Sequence, residues 1–373
     1  MSESVHDLQL DGTKISWWKD RVESWNRGDR IAPVTVDGSW TRKCSASCNF
    51  CYATLQSSDD GGEITREIAF QILEDMAEVG VKGFSLISDG ESTEVPYFAD
   101  SVEYGSKLGL QLGTSSNGVK LTPDILEQTL PHLTYLRFNF SGGEKKRWAE
   151  IMGLKQPLFD RVVGHIKAAV EIKQRRNLSC NLNLQMVVMP QDADQIIPFA
   201  KLAKELGVGY AILKHTADSP THELGVDYSK YKDIFHLFRE AETYSTDTFR
   251  VATKWTRIQD EGKRDYQRCM GPSFILQFSG NGLVAPCGQK FNNKYRKFHI
   301  GWLAGPLKQR FRDIVASDRY KEVMDYLASP LFNAQHACGA NCLQTNSNSW
   351  LSKWKQGKVE FADTPPPPHL GFL

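Results

Sequence analysis

Apolar positions along this chain follow two rhythms. In residues 1–32, Ile15, Trp18, Val22 and Trp25 recur at three- and four-residue steps. That spacing predicts an amphipathic helix, with Ser16 near its start, packed on the edge of the main domain. From residue 33 onward, short β-branched runs alternate with helical periods. Strands are predicted at Pro33–Trp40, Val81–Ile87, Leu110–Ser115, Tyr135–Phe140, Ser179–Met189 and Tyr210–Lys214. Between and after them, helices are predicted at Thr65–Val79, Val95–Leu108, from Thr122-Pro123-Asp124, and at Phe159–Gln174, Ala193–Leu206 and Tyr228–Tyr244. In the first of these helices Ile68, Ile72, Met76 and Val79 share one face, and Pro123 stands at a first helical position, where its missing N–H costs nothing. Six strand–helix units argue for a parallel sheet with right-handed helical crossovers. The expected fold is therefore α/β, a partial (β/α)6 TIM-like barrel over residues 33–248, short of the usual eight units.

Beyond about residue 250 the rhythm changes. Phe274–Phe278 and Leu283–Ala285 flank Ser279-Gly280-Asn281-Gly282, and Asn-Gly between short strands is a hairpin signal. A helix is predicted near Phe311–Ala328, giving a small α+β region over 249–345. The remaining residues, 346–373, are polar and carry the run Pro365 to Pro368, so a stiff, disordered tail is expected.

Composition adds little except through the cysteines. Hydrophobic residues make up 40% and charged residues 24%, ordinary for a globular chain, and the formal net charge is +1. A broadly basic nucleic-acid binder would carry a large positive excess, so no nucleic-acid partner is expected. The short basic patches at Lys145–Arg147 and Lys173–Arg176 read as solvated helix ends. No apolar stretch approaches the ~18 residues of a membrane span, and the polar start of the chain has no signal-peptide core. A cytoplasmic protein with no membrane partner is expected. There, eight cysteines point to metal or redox chemistry and not to disulfides.

Three of them, Cys44, Cys48 and Cys51, stand in a C-x3-C-x2-C spacing on the loop after the first strand. Three thiolates on a tight loop can hold three irons of a cubane cluster and leave the fourth open, as catalytic metal sites do. A structural zinc site would need a fourth ligand nearby, and residues 45–57 offer no further His, Asp or Glu. The segment closely resembles the signature of the radical S-adenosylmethionine (SAM) superfamily. Later loops resemble it too. Ser88-Asp89-Gly90-Glu91 follows the second strand where the family has a Gly-Gly-Glu-type motif, with Asp89 replacing the first Gly. Thr114 to Gly118 resembles its Thr-Asn-Gly loop, and Ser141 falls where a ribose-contacting Ser is common. The resemblance implies a SAM-binding [4Fe–4S] cluster on Cys44, Cys48 and Cys51. It places SAM against Phe50, Asp89, Gly90, Glu91, Ser116, Asn117 and Ser141, and it implies a reducing partner such as flavodoxin or ferredoxin. Reductive cleavage of SAM and removal of a hydrogen atom from a substrate C–H bond would follow.

Cys269, Cys287, Cys338 and Cys342 form a second group, with a G-x4-C hairpin (Gly282 to Cys287) and a C-x3-C pair. This resembles the auxiliary-cluster region of the SPASM/twitch branch of that family. Four thiolates fit the twitch type, with a second auxiliary [4Fe–4S] cluster; the same four could instead hold zinc. Cys180 shares strand parity with Leu182, Leu184 and Met186, so it is expected to face the helices as a structural thiol. The opposite parity offers substrate candidates: Arg137, Asn139, Asn183 and Gln185, with Lys214 and His215 at the end of the sixth strand. The substrate expectation is a small molecule (a sugar, aminocyclitol or nucleotide) to be oxidised or epimerised. Residues 1–32 are too few for a peptide-recognition module. The alternative is a ribosomal peptide, crosslinked or epimerised.

Overall fold

The computed structural model describes residues 12–58, 60–260, 263–340 and 342–373. The first eleven residues of the expected N-terminal extension lie outside that set. Ten strands form one sheet: β1 (Thr35–Gly38), β2 (Gly83–Leu86), β3 (Gln111–Ser116), β4 (Leu133–Asn139), β5 (Asn181–Val188), β6 (Tyr210–His215), β7 (Arg250–Thr253), β8 (Ile275–Phe278), β9 (Leu283–Ala285) and β10 (Gly301–Trp302). Their order is β10-β9-β8-β1-β2-β3-β4-β5-β6-β7. Neighbours from β1 to β7 run parallel, β8 pairs with β1 in parallel, and β9 and β10 return antiparallel. A parallel-dominated sheet with helical crossovers is the partial barrel that the alternation predicts. The rhythm runs one unit further than expected, because β7 and the helix Trp255–Gln259 follow residue 248. β7 escapes a periodicity argument because Val251 is its one buried side chain. The region expected as a separate C-terminal unit therefore extends the same sheet.

Strand alternation sorts the side chains into two environments. Val36, Phe84, Leu86, Leu112, Leu136, Phe138, Leu182, Leu184, Met186, Ala211 and Leu213 point outward and pack under the helices in the main core. Asp37, Ser85, Tyr135, Arg137, Asn183, Gln185 and Lys214 take the opposite parity and line the lumen. The helix Arg66–Val79 starts at Thr65, whose hydroxyl accepts from Ile68 N–H, and stops at Gly80 with φ +91°. The expected helix at 95–108 begins only at Phe98, after Pro96, and the one expected at 311–328 is split at Ser317, which caps its second half. The N-terminal segment is likewise two pieces, a 3₁₀ turn Thr13–Trp17 and a helix Lys19–Asn26.

The tail corrects the sequence reading. It forms the helix Thr345–Lys355 and then a strap that runs back under the barrel. Trp17 and Trp18 donate their indole N–H to the carbonyls of Thr364 and Leu370, and buried Lys14 donates to that of His369. Thr35 Oγ1 donates to the Gly371 carbonyl at 2.8 Å and accepts from Leu373 N–H at 3.1 Å. Phe372 is buried edge-on against Tyr135, ring centroids 5.2 Å apart, and fills the barrel floor at the starts of β1 to β4. A Cβ on Gly83 would lie 2.1 Å from the Gly371 carbonyl oxygen, so this close approach needs glycine. Proline-rich composition suggested disorder; the apolar end of the segment overrides it, because that end has a cavity to fill.

Candidate active site

Loops after the strand C-termini form the barrel mouth. The cysteine loop is pinned there from below: Ser47 and Asn49 N–H donate to the carbonyls of Met152 and Ile151, at the end of the helix Lys145–Met152. Asn49 Nδ2 also donates to Asp192 at 2.9 Å. Gly153, with φ +60°, lets Ser47 pass, since a Cβ there would sit 2.3 Å from the Ser47 carbonyl oxygen. Burial raises the thiols of Cys44, Cys48 and Cys51 above the usual range, and neighbouring negative charge adds to this; for Cys48 that charge comes from Cys51, Cys44 and Glu91. Asn117 Nδ2 approaches Cys44 Sγ at 3.7 Å and Ser45 Oγ at 3.2 Å. Phe50 is half-buried against the core.

Glu91 is buried at the same mouth. Its Oε2 accepts from Asn117 N–H at 2.7 Å, and its Oε1 from Thr93 N–H and Oγ1 at 3.2 and 2.7 Å. Burial raises its carboxyl despite these bonds. A carboxylate keeps room for further donors beyond these three. Asp89, beside it, is held by protein partners. Its oxygens accept from Ser279 Oγ at 2.6 Å and Gly280 N–H at 2.8 Å, and Arg42 Nε lies 3.1 Å away. Asp89 thus ties the β8–β9 turn to the loop after β2. Gly90, with φ +81°, packs against Thr41, whose carbonyl oxygen would sit 2.0 Å from a Cβ there. Ser116 Oγ accepts from Gly118 N–H, and Ser141 Oγ from Val187 N–H at 3.1 Å.

Below the mouth lies the polar lumen. Arg137 is level with Asn183 and Ser115, and Asn139 with Gln185, whose Nε2 donates to Asn139 Oδ1 at 2.7 Å. Lys214 stands opposite Val187, higher up. Burial and the field of Arg137 and other cations pull Lys214 down to about 7. The structure does not bring His215 into this group: it has the outward parity of Leu213 and packs edge-on against Tyr231, centroids 6.4 Å apart. Cys180 is buried in the apolar core, where burial pushes its thiol up to about 12. Sequence reasoning passed over Asp37, the acid of β1. Burial lifts it to about 6, although Gln277 Nε2 donates to it at 2.9 Å. A carboxylate inside a β-branched strand was the signal.

The second cysteine group is coherent. Cys269 feels the charges of Cys342, Cys338 and Cys287, and burial raises it strongly. Cys287 is pushed up to about 12 by burial, offset in part by Lys290, which is itself buried and donates to the Ala337 carbonyl at 3.0 Å. Asn348 accepts from Met270 and Gly271 N–H and turns its Nδ2 to Cys269 Sγ at 3.8 Å. The segment after Cys51 joins the two groups: Gln56 Nε2 donates to the Gly288 carbonyl at 2.8 Å, and Tyr52 lies in the field of Cys287. As the side chains stand, no three His, Cys, Asp or Glu among the described residues are close enough to hold a single metal ion.

Residues 39–203 match the family model described as the radical SAM superfamily. The AdoMet-dependent heme synthase of Methanosarcina barkeri is 24% identical over 304 residues, 76% of this chain and 82% of its own. The PqqA peptide cyclase of Bradyrhizobium diazoefficiens is 25% identical over 179 residues, 47% of this chain and 44% of its own. Among solved structures, Streptococcus suis SuiB bound to S-adenosylmethionine superposes with a TM-score of 0.62 at 16% identity, over 95% of this chain and 81% of that one. At such identity the likeness is one of fold. No helix among the described residues is long and apolar enough to cross a membrane.

Proposed function

We propose that this chain, a member of the radical SAM superfamily through residues 39–203, oxidises a small molecule held in the barrel lumen. The observation that carries the reading is the lumen itself: polar on its walls, filled at its floor by Phe372, with the cysteine loop at its other end. Cys44, Cys48 and Cys51 would hold a [4Fe–4S] cluster, and Glu91, Asn117 and Ser141 line the adjoining space for SAM. Such a cluster with SAM supplies reductive cleavage of SAM and, through it, removal of a hydrogen atom from an unactivated C–H bond. The chain's own part is to fix geometry and exclude water. Asn117 links the cysteine loop to Glu91, and Gln185 and Asn139 hold the wall beneath. Cys269, Cys287, Cys338 and Cys342 would hold an auxiliary cluster able to take the second electron of an oxidation, through the short bridge at Tyr52 and Gln56.

Oxidation is preferred to epimerisation because of Cys180. An epimerase returns a hydrogen atom to the substrate radical, commonly from a thiol. Cys180 is the one cysteine outside the two groups, and it faces the helices. Peptide modification is the second reading, favoured by the PqqA peptide cyclase among the relatives and by SuiB, solved with its precursor peptide.

Anaerobic reconstitution with iron and sulfide, then dithionite and SAM, tests the central claim. Wild type should bind about eight irons and form 5′-deoxyadenosine. The Cys44/Cys48/Cys51→Ala variant should bind about four and form none. Bound zinc with no SAM cleavage in wild type would refute the reading.

A further inference from the structure

Arg137, Lys214 and the Asn183 amide share the lumen with one acid, Asp37. Arg137 forms no ion pair among the described residues, and its buried Nε has no hydrogen-bond partner. Asp37, whose field reaches Arg137, is engaged by Gln277 and by burial holds its proton more tightly than usual. The charges that Lys214 feels are those of Arg137, Arg257 and Lys254, all positive. Level with Arg137, Asn183 is 1% exposed, and neither Nδ2 nor Oδ1 of its amide has a partner. Buried amides without partners are rare in native proteins, because each lost hydrogen bond costs about 1–3 kcal/mol. Ser115 Oγ, on the same level, is likewise unpartnered. A pocket that leaves this many donors unsatisfied around a positive field is built for something that brings acceptors and negative charge.

We propose that the substrate carries an oxyanion, a carboxylate or a phosphate, held between Arg137 and Lys214 with the Asn183 amide against it. The inference rests on the reading of the lumen as the substrate site. The guanidinium edge at Nε suits two-point binding of a planar or tetrahedral oxyanion. Arg137 and Asn183 hold the deep side of this group, and Lys214, opposite Val187, holds its upper side. Arg137 lies within β4, four residues before Ser141, which follows the end of that strand. A cationic ligand would add to the positive field of Arg137, Arg257 and Lys254 that Lys214 already feels.

The test uses the reconstituted holoenzyme under anaerobic conditions, with SAM present, and reads binding by calorimetry. Succinate and inorganic phosphate are the anionic probes, and succinamide is the neutral control. The expected result is saturable binding of one of the anions and none of succinamide. Whichever anion binds decides between carboxylate and phosphate. R137Q and K214Q should each weaken that anion about tenfold or more. N183D, nearly the same shape with an added negative charge, should weaken it too, and the exposed control K19Q should not. Iron content and the anion-free unfolding midpoint establish that each variant is folded. Equal binding of succinamide, binding that survives in the R137Q/K214Q double variant, or no binding of either anion to wild type would overturn the proposal. Absence of 5′-deoxyadenosine in wild type would instead refute the catalytic reading, whatever the anions do.

Discussion

Asp37 and Lys214 are buried titratable groups on the lumen face of the sheet. Their effects on stability have opposite slopes. Asp37 is raised to about 6 from its ordinary 3.8, so the folded chain holds that proton where the unfolded chain releases it. Its ionisation therefore costs stability progressively as pH rises from about 4 through 6. Asp37→Asn, which keeps an acceptor for Gln277, should raise the unfolding midpoint at pH 8 by the equivalent of about 1–2 kcal/mol, and the difference should vanish below pH 4. Thermal unfolding of both proteins across pH 4–8 checks this; a constant offset would refute it. Lys214, lowered to about 7, works the other way: wild-type stability should climb between about pH 7 and 10.5. The alternation of β4 and β5 showed Arg137, Asn139, Asn183 and Gln185 on the lumen side, because a two-residue period leaves no choice once the apolar face is assigned. It also placed Cys180 correctly. The same rule, applied to Lys214 and His215, would have kept one and rejected the other.

Among elements, the β8–β9 hairpin shows what motif position alone cannot. Asp89 stands where the resemblance suggests a SAM contact, yet it accepts from Ser279 and Gly280 and pairs with Arg42. No local pattern announces a bond across 190 residues. Gly90 and Gly280 both crowd the same Thr41 backbone, so three loops meet without room for side chains. Asp89→Ala should leave the Ser279 hydroxyl and Gly280 N–H buried and unsatisfied, at a cost of about 2–4 kcal/mol. Because the hairpin carries Cys287, that variant should also lose auxiliary iron before it loses the iron at Cys44, Cys48 and Cys51. Iron counting on the folded variant tests this order; equal loss from both sites would contradict it. The first cysteine loop was legible because its spacing is short and local. The supports of the second group, Lys290, Gln344 and Asn348, stand close to Cys287 and Cys342 in sequence but bond to partners 47, 69 and 79 residues away, which no spacing announces.

Over the whole molecule, the alternation of strands and helices conveyed the barrel, and the apolar end of the tail went unread beside its prolines. Phe372 closes the floor, so its loss should be felt throughout. Phe372→Ala should lower stability by about 3 kcal/mol, as large-to-small changes in a packed site do. It should also speed hydrogen exchange at the starts of β1 to β4 relative to their ends. Uniform exchange along those strands would show that the tail does not seal the floor.

Sheet order has a further consequence, in the time the chain takes to be made. β1 sits inside the sheet, yet one of its two edges is completed by β8, and the partners Asp37 and Gln277 are 240 residues apart. At about 5–20 residues per second on the ribosome, that edge stays unpaired for roughly 12–48 s after β1 emerges. During synthesis the nascent barrel thus presents an open row of backbone donors and acceptors on its first strand, next to the cysteine loop. Chaperone capture or aggregation would begin at that edge, and synthesis paused before residue 275 should yield chains that stick to one another through β1.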